Sequence, residues 1–251
     1  MTIHHIRRNL LRTIATLAAA PALTLRAASR NDAAEKALRQ LEQRAGGRLG
    51  VSAVDTGSGR VVGHRENERF PMCSTFKLML CAAVMAGAGP LAREPGFSRE
   101  VILARRMRVE KKHLVTWSPI VERHVGREMT VASLCDATIR YSDNAAGNLL
   151  LTLIGGPPGF TAYARSLGDT TTRLDRIEPE LNTAIPGDAR DTTTPAAMRD
   201  DLIKMVLSDK QPLAAREHLK AWLIANTTGD KRIRAGTPQG WIVGDKTGTG
   251  Q

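Results

Sequence analysis

The chain has 251 residues, 42% hydrophobic and only 4% aromatic. That suffices for one large domain or two interleaved ones, with a core filled mainly by Ala, Leu, Ile, Val and Met. The formal net charge of +11 does not indicate a nucleic-acid binder: basic residues alternate with acids, as in Arg65-Glu66-Asn67-Glu68-Arg69, and no aromatic-interleaved basic stripe occurs. A solvated basic surface, mildly favourable to anionic ligands, is the reading that remains.

At the N-terminus, Arg7-Arg8 precede an apolar stretch from Leu10 to Leu25, and small residues follow at Ala27-Ala28-Ser29. This pattern predicts an export signal over residues 1–28. Arg7-Arg8-Asn9-Leu10-Leu11, with Arg26 before the small residues, also suits twin-arginine export. At about 16 residues with Pro21 inside, the stretch is short for a membrane span; a buried N-terminal helix is the alternative. The mature protein is expected in the periplasm or secreted, free of the membrane. Its loss of four arginines from this segment lowers the net charge.

Asn31-Asp32 are placed to cap a helix from Ala33 to Arg44, with Gly46-Gly47 as its stop. Leu49 to Val54 and Arg60 to Gly63 read as short strands joined through Thr56-Gly57-Ser58-Gly59 into a hairpin. From Ser74 the pattern turns helical: Ser74 to Ala88, Thr130 to Arg140, Asn144 to Leu153, Phe160 to Leu167, Thr194 to Ser208 and Pro212 to Ala225. Gly240 to Lys246 returns to a strand-like run. Strands at both ends around a helical middle predict a discontinuous α/β layer, residues 30–66 with 223–251, and an inserted all-helical lobe, residues 67–222.

Export permits disulfides, and the chain has three cysteines, Cys73, Cys81 and Cys135. On a helix starting at Ser74, Cys73 and Cys81 would stand about 12 Å apart, too far to bridge. Cys81–Cys135 is therefore the expected pair, tying two helices together; three buried free thiols are the alternative.

Three motifs carry chemistry. In Ser74-Thr75-Phe76-Lys77 the i, i+3 spacing puts hydroxyl and amine on one helical face, where a desolvated lysine can take the serine proton. Alone, it reads better as a capped helix with a surface lysine. Ser142-Asp143-Asn144 falls between two helical runs and is by itself a good N-cap. Lys246-Thr247-Gly248 closes the last strand-like run, offering a fixed cation and a glycine where a ligand could approach the backbone. Their conjunction, in this order, resembles the penicillin-recognising serine enzymes. A fourth segment, Glu178-Pro179-Glu180-Leu181-Asn182, resembles the Glu-x-x-Leu-Asn segment of class A β-lactamases, as do Leu174-Asp175-Arg176 and Ala184-Ile185-Pro186-Gly187-Asp188.

The resemblance covers about residues 30 to 251 and implies the two-lobe β-lactamase/DD-peptidase-like fold. It implies acyl transfer from a β-lactam to Ser74 and then to water. Ser74 and Thr249 N–H groups would hold the oxyanion; Lys77, or Glu178 through a water, would take the serine proton. Ser142 would relay a proton to the leaving nitrogen, and Glu178 with Asn182 would activate the deacylating water. Asn144 is implied to meet the substrate's side-chain amide, Lys246, Thr247 and Arg232 its carboxylate, and Trp117 the cleft mouth, with a core aromatic as the plainer alternative for Trp117. Arg176 and Asp191 would close the loop that carries Glu178.

No metal or cofactor is implied, and the six histidines show no ligand spacing beyond His4-His5. Expected ligands are small-molecule penicillins and cephalosporins, with no nucleic acid and a monomeric state. Cys73, Trp117, Arg232 and Thr249 together resemble the carbapenem-hydrolysing branch, in which a cysteine matching position 250 pairs with the one before the nucleophile; here that position is Gly250.

Two departures stand out. Ile177 replaces a common Trp before the catalytic Glu, and the family continues beyond Gln251 with strands and a helix, so a partial sequence is expected. The rival readings are a D-Ala-D-Ala peptidase or penicillin-binding protein, lacking a Glu178 and Asn182 equivalent, and a non-catalytic β-lactam sensor domain, which would need a lasting membrane span.

Overall fold

The computed structural model describes residues 20–250, and the chain divides into two compact units at Glu66/Asn67. Of the expected export signal, residues 1–19 lie outside the described residues, while Ala20–Ala28 begin the first helix.

The first unit holds α1 (Ala20–Ala45) and a hairpin of β1 (Val51–Val54) and β2 (Val61–His64). Asn31 and Asp32 do not cap α1; they lie inside it, because the Ala- and Leu-rich run before them favours helix. Gly46, at φ 71°, ends it as expected. The hairpin is antiparallel, Val51 opposite His64 and Val54 opposite Val61. Asp55 fixes its turn, accepting from the Gly57 N–H at 2.9 Å and the Ser58 hydroxyl at 2.6 Å. Glu42 on α1 accepts from Arg65 Nε at 2.7 Å and the Leu49 N–H at 2.9 Å.

The second unit is organised around a helix with no solvent face. Its elements begin with β3 (Phe70–Pro71), a 3₁₀ turn (Cys73–Thr75) and α2 (Phe76–Met85). Then follow α3 (Arg99–Ala104), β4 (Arg106–Arg108), β5 (Glu128–Thr130), α4 (Val131–Arg140), α5 (Asn144–Leu153) and α6 (Gly156–Ser166). The last are β6 (Thr192–Thr193), α7 (Pro195–Leu202) with a π-type turn over Ile203–Leu207, and α8 (Leu213–Ile224). Every residue of α2 is buried; α4, α5, α6 and α8 all pack around it, as a helix apolar at every position but Lys77 requires. Phe76 meets Phe160 of α6 edge-on, centroids 5.9 Å apart. The short strands pair antiparallel, β3 with β6 and β4 with β5.

Two expectations are corrected. Cys81 and Cys135 are neighbours in the core, but both are free thiols, as is Cys73. Cys81 Sγ points at the Cys135 carbonyl oxygen, 3.9 Å away, and the pair packs as small apolar groups whose burial pushes the Cys81 thiol up. The run from Gly240 to Lys246 is not a strand. Trp241 N–H bonds to Pro238 O and Asp245 N–H to Leu223 O, local attachments where a strand would need a neighbouring edge. Residues 223–250 belong to the second unit.

One buried pair in this unit is electrostatically frustrated. Asp201 of α7 is fully buried, and neither of its carboxyl oxygens nor Asp169 Oδ2 has a donor. A single proton shared between the two carboxyls accounts for one oxygen of each. Burial first, then the hydrogen bond and charge of Asp169, push Asp201 up to about 8; Lys204, 3.8 Å away, opposes this and Asp200 adds to it. Asp169 is held low: burial would raise it, but the Thr172 hydroxyl, Asp201 and the Thr171 and Thr172 N–H groups outweigh that.

A carboxyl raised on folding weakens the fold as pH rises from its unfolded value near 4 to its folded value near 8. Asp201→Asn, which can still donate to Asp169, should therefore be more stable than the parent by on the order of 1–3 kcal/mol at pH 8, the gap closing toward pH 4. Urea melts at the two pH values measure it; an equal effect at both would contradict the shared proton.

Candidate active site

The 3₁₀ turn at Cys73–Thr75 presents Ser74 at the entrance to α2, and one helical step later Lys77 lies on the same side. Lys77 is completely buried, and Glu178 is 1% exposed. The Lys77 ammonium donates to Ser74 Oγ at 2.9 Å, the Ser142 carbonyl at 2.8 Å and Asn144 Oδ1 at 2.5 Å, and stands 2.9 Å from Glu178 Oε1. The Ser74 hydroxyl in turn donates to Glu178 Oε1 at 3.3 Å. Burial pushes the Lys77 pKa down, and the Glu178 carboxylate pulls it back only in part.

The turn between α4 and α5 supplies the opposite wall. Asp143 is the N-cap of α5, accepting from the Ala146 N–H, while its other oxygen accepts from the Ile120 and Val121 N–H groups at 2.9 and 3.0 Å. The capping role therefore falls to Asp143. Ser142, at φ 57°, is left to face the cleft, where its hydroxyl accepts from Lys246 Nζ at 2.9 Å. Burial first, then repulsion from Lys77, push Lys246 down to about 7. Asn144 uses Oδ1 on Lys77 and one N–H on the Thr116 carbonyl at 2.8 Å, so one amide hydrogen is left for a ligand.

Glu178 sits on non-helical backbone, and three anchors hold it. Arg176 pairs with the buried Asp191, Nε to Oδ2 at 2.5 Å, and reaches Thr183 Oγ1 at 2.9 Å. Asp191 Oδ1 also accepts the Asp175 and Arg176 N–H groups, and the Asp191 carbonyl accepts the Met72 N–H at 2.9 Å, tying the loop to the nucleophile turn. Asn182 donates to Glu178 Oε2. Asn148 on α5 then clips the Glu178 main chain on both sides, donating to its carbonyl at 2.8 Å and accepting its N–H at 2.9 Å. The Glu178–Pro179 peptide is cis. Ile177, beside it, is 45% exposed.

These groups open on a cavity of about 380 Å³, lined by Ser74, Trp117, Ser142, Asn144, Asn182, Thr228, Arg232, Thr247, Gly248 and Thr249. Trp117 is 59% exposed, which excludes a core aromatic; its indole N–H donates to the Tyr141 carbonyl at 3.0 Å. Gly248 lies against protein backbone: a Cβ there would stand 2.9 Å from the Met72 carbonyl oxygen. A Cβ at Gly250 would lie 3.6 Å from Cys73 Sγ, so the two positions adjoin, but with no second thiol there Cys73 stays free.

Asn148 and Thr228 escaped the sequence reading. Asn148 left a faint signal, a second asparagine four residues after Asn144 in an otherwise apolar helix. Thr228 left none.

A buried serine–lysine–carboxylate cluster beside a second, cationic wall is the arrangement of a serine acyl hydrolase. The comparisons with known proteins narrow this. Residues 33–251 match the model of the beta-lactamase enzyme family. The chain is 55% identical over 216 residues to beta-lactamase AST-1 of Nocardia asteroides, covering 86% of this chain and 67% of that protein. It is 52% identical over 210 residues to the carbapenem-hydrolyzing beta-lactamase KPC of Klebsiella oxytoca, covering 84% and 69%. Among solved structures, an ancestral class A beta-lactamase (GNCA) superposes with a TM-score of 0.80 at 55% identity, over 86% of this chain and 80% of that one. The chain belongs to the class A β-lactamases and has their fold.

Asn148→Ala should cost about 1–3 kcal/mol for each Glu178 main-chain group left without its partner, and should expose residues 176–191 to protease before the rest of the chain unfolds. Limited proteolysis alongside a denaturant melt checks both; a melt matching the parent's would mean the clip does not hold the loop.

Proposed function

We propose that the protein hydrolyses β-lactam antibiotics through a Ser74 acyl-enzyme and thereby confers resistance. The observation that carries this reading is the contact of Glu178 Oε1 with both Ser74 Oγ and Lys77 Nζ, at 3.3 and 2.9 Å. Ser74 attacks the lactam carbonyl, and its proton passes to the Lys77–Glu178 pair, either member of which is in reach. The oxyanion is held by the N–H groups of Ser74 and Thr249. Ser142, touching Lys246, returns a proton to the lactam nitrogen as the ring opens. Glu178 and Asn182 then direct water at the ester, the step that distinguishes a hydrolase from a peptidase or sensor that stays acylated.

The substrate's carboxylate is bound by Lys246, Thr247 and Arg232, its side-chain amide by the free Asn144 N–H, and Trp117 stands at the cleft mouth. Penicillins and cephalosporins are the expected substrates. Carbapenems join them on the strength of Cys73, Trp117, Arg232 and Thr249 and the 52% identity to the KPC enzyme; imipenem surviving incubation with the active protein would remove them. The N-terminal pattern supports export to the periplasm, and the protein is taken to act as a monomer.

Glu178→Ala should accumulate a covalent adduct on Ser74, seen by intact mass after a chromogenic cephalosporin, with turnover lowered by a factor of at least about 10³, the scale of a lost catalytic base. Rapid multiple turnover by that variant would sink the assignment.

Lys246 binds an anion only while charged, and that form disappears as pH rises through about 7 in the free protein. So kcat/KM should fall above neutrality, and Lys246→Arg should move the fall to higher pH because a guanidinium keeps its charge. Rate measurements from pH 5 to 10 decide it; a parent profile level to pH 9 would count against it.

A further inference from the structure

One group in the cleft wall has no role so far. Thr228 lines the cavity, and its hydroxyl lies 2.6 Å from that of Thr247. Either oxygen could donate across that distance, but the surrounding hydrogen bonds settle which does. Asp245 can only accept: one oxygen takes Arg234 Nη2 at 2.6 Å and the other Asn226 Nδ2 at 2.7 Å. That fixes the buried Asn226 amide with its nitrogen toward Asp245 and its oxygen toward Thr228. Asn226 Oδ1 then accepts both the N–H and the hydroxyl of Thr228, at 3.1 and 2.9 Å. A threonine has one hydroxyl proton, and that of Thr228 is now used. The proton in the 2.6 Å contact therefore belongs to Thr247 and points at Thr228.

Glycine at 229 is a condition of this arrangement. A Cβ there would lie 1.8 Å from Asp245 Oδ2, so a side chain at that position would displace the carboxylate that orients Asn226.

We infer that Thr228 is a positioning residue that sets specificity for anionic substrates: in the free protein it holds the Thr247 hydroxyl proton, and an incoming carboxylate must draw that proton away. This rests on the reading that Thr247 meets a β-lactam carboxylate. A carboxylate only accepts hydrogen bonds, and the lone pairs that Thr247 would otherwise present to it repel it. The Thr247 hydroxyl must turn before it can help, giving up a neutral hydrogen bond.

Thr228→Val keeps the shape and removes the acceptor, leaving Asn226 Oδ1 satisfied by the residue 228 N–H. It should lower KM for a carboxylate-bearing penicillin by about two- to tenfold, the scale of one neutral hydrogen bond, with kcat unchanged. Thr228→Ser should restore the parent KM. A β-lactam whose carboxylate is esterified should give the same KM with parent and variant. Should the valine variant fail a thermal-melt check of folding, Thr228→Ala, equally without a hydroxyl, gives the same comparison. An unchanged or raised KM, or an equal change with the ester, overturns the inference. A parent protein that leaves a chromogenic cephalosporin intact overturns the underlying reading and this inference with it, whereas an active parent with an unresponsive valine variant overturns the inference alone.

Discussion

A primary ammonium group with no exposure to solvent governs the architecture of the second unit. Taking Lys77 out of water costs several kcal/mol, and that cost falls away only if acceptors arrive from elsewhere in the chain. They come from three places: the nucleophile turn (Ser74), the α4–α5 junction (Ser142 and Asn144) and the loop bearing Glu178. No local sequence rule brings these together. The packing of α4 and α5 against the fully buried α2 does, and the same packing denies the pair water. A Lys77–Glu178 pair can be ammonium–carboxylate or amine–carboxylic acid at no change in net charge. Burial, which lowers the Lys77 pKa, narrows the energy gap between the two forms. In the proposed reaction, a pair with two such forms can receive a proton from Ser74 and return it.

Backbone strain gathers in the same place. Cys73, Trp117 and Ser142 all have positive φ, at 44°, 64° and 57°, each costing about 1–3 kcal/mol for a residue with a Cβ. Each sits one step from a group that must point into the cleft or is itself that group. The neighbours that hold them are specific: the Met72 N–H on the Asp191 carbonyl below Cys73, the Asn144 N–H on the Trp117 carbonyl, and the Asp143 cap beside Ser142. Asp143 does two jobs with one carboxylate, capping the start of α5 with one oxygen and pinning residues 120 and 121 with the other. Rigid α5 thereby carries its neighbouring strained turn as a unit.

Much of this was legible in the residues. The α5 boundaries read as Asn144 to Leu153 are those of the folded chain, because an apolar run opened by an Asp N-cap is decided locally. The four motifs were legible as motifs. What was not legible depended on partners distant in sequence. The run from Gly240 to Lys246 has strand composition but no strand beside it. Cys81 and Cys135 were correctly brought together, yet proximity of two thiols in an apolar core does not by itself oxidise them. Asn31-Asp32 have cap chemistry, overridden by the helix-forming residues upstream. Asn148 and Thr228 act on main chain and on another side chain's proton, and neither relation leaves a pattern in a one-dimensional string.

The charge balance of the cleft explains why hydroxyl orientation matters there. Arg232 lines the cavity together with Ser142, which contacts both Lys77 and Lys246, and Glu178 pairs with Lys77. Lys77 and Lys246 repel through Ser142, whose hydroxyl stands 2.9 Å from Lys246 and 3.5 Å from Lys77. Burial first, and that repulsion second, lower the Lys246 pKa to about 7 in the free protein. An anion placed beside Lys246 reverses the sign of the effect, since an opposite charge in a partly desolvated site favours the ammonium. Anion and proton therefore bind cooperatively. Under the proposed function, a substrate carboxylate at Lys246 would restore the full positive charge, and each neutral hydrogen bond that turns to meet it would subtract from the same free energy.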